Sequence, residues 1–172
     1  MAVYSIVLPD STILKRVNGF KSVLIVGCGA CLNDSLGFNT ERPLARVVPN
    51  ENTDVPDLLP LLIDDEIQRI KILLENKGIS TCTDSMIPLC EISFMTEPFI
   101  TNLSKLSSEA EAIISLSCSV GTLALKKQLG NVFKIIPVTK TLGIFQVSKF
   151  LDESGEYIYL DKQKSTILKF KI

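Results

Sequence analysis

Apolar residues in this chain fall into short unbroken runs, and the runs alternate with segments of helical period. Ser22–Gly27, SVLIVG, places four apolar residues in a row and stops at glycine, the form of a strand buried on both faces. Residues 64–78, DDEIQRIKILLENKG, give the clearest helix. Asp64, Asp65 and Glu66 suit its N-terminus, Gly78 its end, and Ile67, Ile70, Leu73 and Leu74 form one apolar face. ISTCT (79–83) then reads as a short strand, and Pro98 opens a helix running to about Leu106. AEAIISLSC (110–118) is a third strand, ending on Cys118. GTLALKKQLG (121–130) is a helix capped by Gly130, and VFKIIPV (132–138) a fourth strand. The order β-α-β-α-β-α-β predicts a Rossmann-like α/β fold, a parallel sheet with helices on both faces.

The two ends of this pattern differ from its middle. Residues 32–62 read as one long loop that holds four of the chain's eight prolines, and a loop of that length in a compact domain signals a functional segment or an insertion. After Phe145 the alternation has period two on either side of a turn at Glu153–Glu156, which predicts a C-terminal antiparallel hairpin, joined by the N-terminal segment VYSIVL. One domain spanning 1–172 is expected, with an α/β core over 21–145 and a β-hairpin extension over 146–172.

Composition narrows the chemistry. The formal charge of −1 offers no general attraction to nucleic acid or to an anionic membrane, and no apolar run approaches the roughly 20 residues that span a bilayer. The first residues lack a basic segment followed by a long apolar core, so a cytoplasmic protein is expected. There is no histidine, which excludes His-based hydrolase triads and leaves a metal site only Cys, Asp or Glu ligands. Five cysteines without a secretory context argue against a disulfide framework.

In a parallel sheet the residues leaving the carboxyl ends of the strands emerge on one edge, where ligands bind. Cys28 and Cys31 follow the first strand, Cys90 lies in the loop after the second and Cys118 ends the third, so four thiols are expected at that edge. Four convergent thiolates suit a tetrahedral zinc site or a [4Fe–4S] cluster, and Gly27 and Gly29 let backbone N–H groups approach sulfur. Cys82, inside the second strand, reads as a small packing residue. A dinucleotide turn at GCGACL fits less well, because Leu32 occupies the third fingerprint position and no clear helix begins there. A thioredoxin-type dithiol meets the same objection. A third class of function, with Cys31 as nucleophile or methyl acceptor and Glu91 as its base, is weighed against Glu91 as a hydrogen-bonded loop carboxylate. Lys162, Lys164, Lys169 and Lys171 read as strand-edge lysines that block aggregation. The 32–62 segment is the better candidate for partner contact, or for a lid over the thiols.

The set VLIVGCGAC, PLCE and IISLSCSVG, followed by IIPVTKTLGIF, resembles the methylenetetrahydrofolate reductase C-terminal domain family. That domain also occurs as a small cysteine-rich partner subunit of the acetogen-type reductase. The matching positions are Cys28 and Cys31, Cys90 with Glu91, Cys118 with Val120 and Gly121, and Pro137 with a turn at Thr141 and Gly143, within roughly Lys21–Phe145. The resemblance implies a cysteine-bound centre, a [4Fe–4S] cluster with zinc as the alternative. It also implies a larger reductase or methyltransferase subunit as partner, in one-carbon chemistry on a pterin. The chain departs from the family in two places: the 32–63 segment is longer, and a C-terminal hairpin replaces the family's cysteine-rich tail.

Overall fold

The computed structural model describes residues 1–86, 88–90, 105 and 109–170. The helix expected from Pro98 to about Leu106 falls almost wholly outside them, as do Glu91 and Lys171. The chain runs β1 (Ala2–Val7), α1 (Asp10–Val17), β2 (Ser22–Cys28), α2 (Cys31–Thr40), β3 (Ala45–Val48), β4 (Asp57–Pro60) and α3 (Leu62–Glu75). It continues with β5 (Ser80–Met86), β6 (Ala112–Leu116), α4 (Ser119–Leu129), β7 (Lys134–Pro137), β8 (Thr139–Gln146), β9 (Lys149–Leu151), β10 (Tyr157–Leu160) and β11 (Thr166–Lys169).

The centre is a parallel four-stranded sheet in the order β5-β2-β6-β7. Alternate residues of β2 serve opposite faces. Val23 and Ile25 pack with α1 and α3 through Ile13, Val17, Ile63, Ile67, Ile70 and Leu74. Leu24, Val26 and Cys28 pack on the other face with Leu125 and Leu129 of α4. Both faces are therefore covered by helices, as the unbroken apolar run requires. Because the chain leaves β2 for β5 on one side and returns to β6 on the other, the β2–β6 boundary is the topological switch point of the sheet. Helix α3 ends as its sequence predicts: Gly78 takes φ +78° and the Ile79 N–H returns to the Leu74 carbonyl at 3.1 Å.

Two smaller antiparallel sheets are built on this core. One has the order β1-β8-β11, so the N-terminal segment does join the C-terminal strands. The other has the order β4-β3-β10-β9. The expected hairpin is β9–β10, and its turn is held by the Asp152 carboxylate, which accepts the N–H groups of Glu156 (3.1 Å) and Tyr157 (3.0 Å) and the hydroxyl of Ser154 (2.7 Å).

Three expectations are corrected. Residues 32–62 are not one loop: they contain most of α2 and the β3–β4 hairpin, whose strands pair over Ala45–Val48 and Asp57–Pro60. Pro60 ends an edge strand, where its missing N–H costs no ladder bond. Thr141 and Gly143 lie within strand β8, opposite β1, and the register shift between Tyr4 and Ser5 replaces the expected turn. Lys162 and Lys164 sit between strands rather than on them, paired with Glu41 at 2.9 Å and Asp161 at 3.2 Å. Lys169 does lie on an edge strand. Helix α1, with Pro9 at its N-cap, has no counterpart in the sequence reading.

Helix α2 begins at Cys31, where no helix is expected. Its pattern is inverted: Asn33, Asp34 and Ser35 are buried polar residues. Each is occupied. The Asn33 amide donates to the Leu44 carbonyl (2.9 Å) and accepts from the Ile63 N–H (3.0 Å). Ser35 donates to the Cys31 carbonyl (2.8 Å) and accepts from the Ser5 N–H (3.1 Å), and Asp34 pairs with Lys149 at 2.6 Å. A Cβ on Gly37 would stand 2.0 Å from Leu44 Cδ2, so the mid-helix glycine is a close-approach site. These contacts satisfy the buried polar groups and anchor α2 to β1, to the residue before β3, to the start of α3 and to β9.

Candidate metal centre

The predicted sulfurs sit at the carboxyl edge of the parallel sheet. Cys28 is the last residue of β2, Cys31 the first of α2 and Cys118 the N-cap of α4. Cys90 closes the described turn after β5. Cys28 and Cys118 are buried, Cys31 half-buried and Cys90 exposed. Cys28 and Cys118 leave the two strands that flank the switch point.

The thiols interact. Cys31 donates its S–H to Cys118 Sγ, which raises the Cys31 pKa strongly, with burial adding to the effect. The same hydrogen bond is the largest influence on Cys118 and holds its pKa below the usual thiol value. The N–H groups of Gly121 and Val120 at the start of α4 act in the same direction. Burial pushes the Cys28 thiol up against opposing N–H donation from Ala30 and Leu89, and the neighbouring Cys31 and Cys90 raise it further. The Val3 N–H donates to Cys31. Four thiols from three distant parts of the chain thus share one electrostatic neighbourhood, and three of them receive backbone N–H groups.

Among the described residues, no three Cys, Asp or Glu side chains already stand in a metal-coordinating arrangement. The donor set fits a thiolate-bound group by its chemistry, since soft sulfur donors with N–H groups directed at them are what zinc and iron–sulfur centres use. Closing the four sulfurs on one centre requires Cys31 and Cys118 to exchange their mutual interaction for bonds to that centre.

The two glycines of the GCG turn have different surroundings. Gly27 faces α3, where a Cβ would meet Ile67 Cδ1 at 2.5 Å, so its smallness serves helix packing rather than sulfur. Gly29 lies beside Cys31 on the wall of a cleft. Cys82 packs partly buried against the α4-side core, as a packing residue should.

Behind Cys118 lies a buried hydroxyl cluster that the sequence reading passed over. Ser115 Oγ is 2.8 Å from Ser117 Oγ and 2.9 Å from Thr122 Oγ1, and Thr139 donates to the Ser117 carbonyl. The Ser119 N–H donates to Thr141 Oγ1 at 3.1 Å. Together these bonds fix the corner from which Cys118 projects. The signal was the alternation of serine through SLSCS in an otherwise apolar strand.

Gly121 joins this corner to the turn that carries Cys90. A Cβ there would stand 2.9 Å from Ser117 Oγ, 3.0 Å from Ser117 Cβ and 3.3 Å from Leu89 Cβ. Gly121→Ala gains about 1 kcal/mol of helix propensity against overpacking of about 1–3 kcal/mol, so a net loss of about 1 kcal/mol is expected, with Gly121→Val worse. Urea midpoints measure this. A stabilised Gly121→Ala would show that Ser117 and Leu89 yield freely and that the contact does not hold the two cysteine-bearing turns together.

Among the described residues, no helix is long and apolar enough to cross a membrane. No family model, curated protein or solved structure matches this chain, so the chemistry of the thiol edge is the ground on which a function is assigned.

Proposed function

We infer that this chain is a small metal-cluster-bearing accessory subunit, in which Cys28, Cys31, Cys90 and Cys118 hold a [4Fe–4S] cluster. It would work beside a larger reductase or methyltransferase in one-carbon chemistry on a pterin. The observation that carries the reading is the meeting of thiols from β2, α2, the turn after β5 and the start of α4 at one sheet edge. The partner and the pterin follow from the family resemblance alone.

A bound cluster supplies one-electron transfer. The chain's own part is to present the sulfurs, direct the N–H groups of Val3, Ala30, Leu89, Val120 and Gly121 at them, and bury Cys28 and Cys118. Hydrogen bonds to sulfur and burial are the means by which a protein tunes such a centre. The visible absorption spectrum of anaerobically purified protein tests the reading. A brown protein with broad visible absorption supports it; a colourless protein carrying zinc would instead make the site a structural one in an assembly module.

One observation favours a second reading, a redox dithiol. Helix α2 starts at Cys31, and the Cys31–Cys118 hydrogen bond pairs two thiols that sit at helix N-termini. A small disulfide would oxidise this pair, forming the Cys31–Cys118 S–S bond and leaving as two thiols. Peptide mapping after mild oxidation of metal-free protein separates the readings, since only the dithiol requires that particular bond.

A further inference from the structure

The two segments in which the chain departs from the family it resembles come together in one sheet. The Leu44 N–H donates to the Ile158 carbonyl and the Val47 N–H to the Glu156 carbonyl, joining β3 to β10. This sheet, β4-β3-β10-β9, stands over the N-terminal end of α2 and encloses a cleft of about 330 Å³ that Cys31 lines. Its apolar walls are Ala30, Leu44, Ala45, Leu58, Pro60 and Ile158, its charged side chains are Asp34 and Lys149, and Met1, fully exposed with its amino group, stands at its mouth.

We propose that this cleft is a binding site for a small, uncharged molecule with an apolar body and an amide-like edge, a hydrogen-bond donor beside an acceptor.

The volume lies within the range of small-ligand sites, roughly 300–1,000 Å³. Volume alone does not single the cleft out, for a depression of about 390 Å³ lies near Phe20 and Lys77, away from the thiol edge. Position and chemistry do. The cleft opens at the carboxyl edge of the parallel sheet, where ligands of open α/β sheets bind, and it combines apolar walls with a few polar groups.

Charge sets the class of ligand. The Asp34 carboxylate, in the first turn of α2, is 2.6 Å from Lys149 Nζ, and Lys149 is its only ion-pair partner among the described residues. Its charge balances that of the lysine, and it also lies against the partial positive charge of the helix end. The two charged side chains are committed to each other, so neither is left as a free partner for an anion or a cation. The pair does offer an acceptor, the second carboxylate oxygen, next to ammonium N–H donors. An amide or lactam edge complements both at once, whereas a carboxylate ligand would face Asp34 and an ammonium would face Lys149. Asn33, also on the wall, has its amide committed to Leu44 and Ile63 and contributes shape rather than recognition.

The inference does not depend on the metal reading. The test is ligand-observed NMR titration of the full chain with N-benzylacetamide, against 3-phenylpropionate and phenethylamine as charged analogues of the same body. Saturable binding of the amide is expected, at least about tenfold tighter than either analogue, equal to about 1.4 kcal/mol. Leu58→Asp, which charges a wall residue that is 49% exposed, should weaken it at least fivefold, as should the near-isosteric Asp34→Asn. Absence of saturable binding, equal or tighter binding of a charged analogue, or binding untouched by Leu58→Asp would overturn the proposal. Metal content measured on the same samples keeps the two readings apart. A metal-loaded protein without amide binding fails this inference alone, and a metal-free protein that binds the amide fails the cluster alone.

Discussion

Cys118→Ser is expected to lose most of the bound metal while keeping its fold. Cys118 is the N-cap of α4, and serine is close to it in shape and a stronger N-cap than most residues, so the helix start is not weakened. What is lost is a sulfur donor at the centre of the thiol group. Removing even an outer-shell partner of a metal ligand costs about 10–100-fold in affinity, and removing a ligand should cost at least as much. Iron and sulfide should therefore fall to about a tenth of the unsubstituted level or lower, with unchanged far-ultraviolet circular dichroism. Cys82→Ser is the control. That residue packs partly buried in β5 on the α4 side, and its substitution should leave metal content as it was. Retained iron in Cys118→Ser, or equal loss in Cys82→Ser, would remove the four-cysteine assignment.

Phe145→Ala should produce the largest loss of stability among single truncations outside the parallel sheet. Phe145 of β8 is fully buried, with its ring edge-to-face with Phe38 of α2 at 5.3 Å and with Tyr4 of β1 at 5.7 Å. Tyr4 and Phe38 themselves meet edge-to-face at 6.1 Å, closing a triangle of rings from three elements. Truncating a buried phenylalanine to alanine costs about 3–5 kcal/mol, a large fraction of the roughly 5–15 kcal/mol that holds a domain folded. Phe145→Leu, which keeps much of the volume, should cost less than about half of that. The triangle ties α2 to the β1-β8-β11 sheet, so the alanine variant should also loosen the helix that begins at Cys31. Denaturant unfolding gives the magnitudes. A loss below about 1 kcal/mol in Phe145→Ala would mean that this corner collapses freely around the missing ring.

The parts of this fold that were legible in the sequence share one property: their burial is written along a single element. β2 and β6 lie between helices on both faces, so each is a nearly continuous apolar run, interrupted in β6 only by Ser115. α3 rests one stripe on the sheet and shows that stripe at helical spacing. α2 was illegible because its buried positions are polar, and Asn33, Asp34 and Ser35 make sense only once Leu44, Lys149 and Ser5 are in place around them. β4 was illegible because it is an edge strand whose Leu58 and Leu59 are about half exposed, in a stretch broken by prolines. The cysteines were legible as positions at strand ends. That Cys31 meets Cys118 was not, because that contact depends on the order β5-β2-β6-β7, a property of the whole sheet. The cleft was hidden for the same reason, since the sheet over it joins β3 and β4 to a hairpin about a hundred residues further on.

Whether the four thiols at the switch-point edge hold a cluster is decided by a count of metal and sulfide. Iron, zinc and acid-labile sulfide are counted per chain in protein purified and kept under anaerobic conditions. About four irons and four sulfides per chain is the predicted result. One zinc without sulfide would replace the cluster by a structural metal, and no metal at all would contradict the claim and leave Cys31 and Cys118 as a dithiol pair.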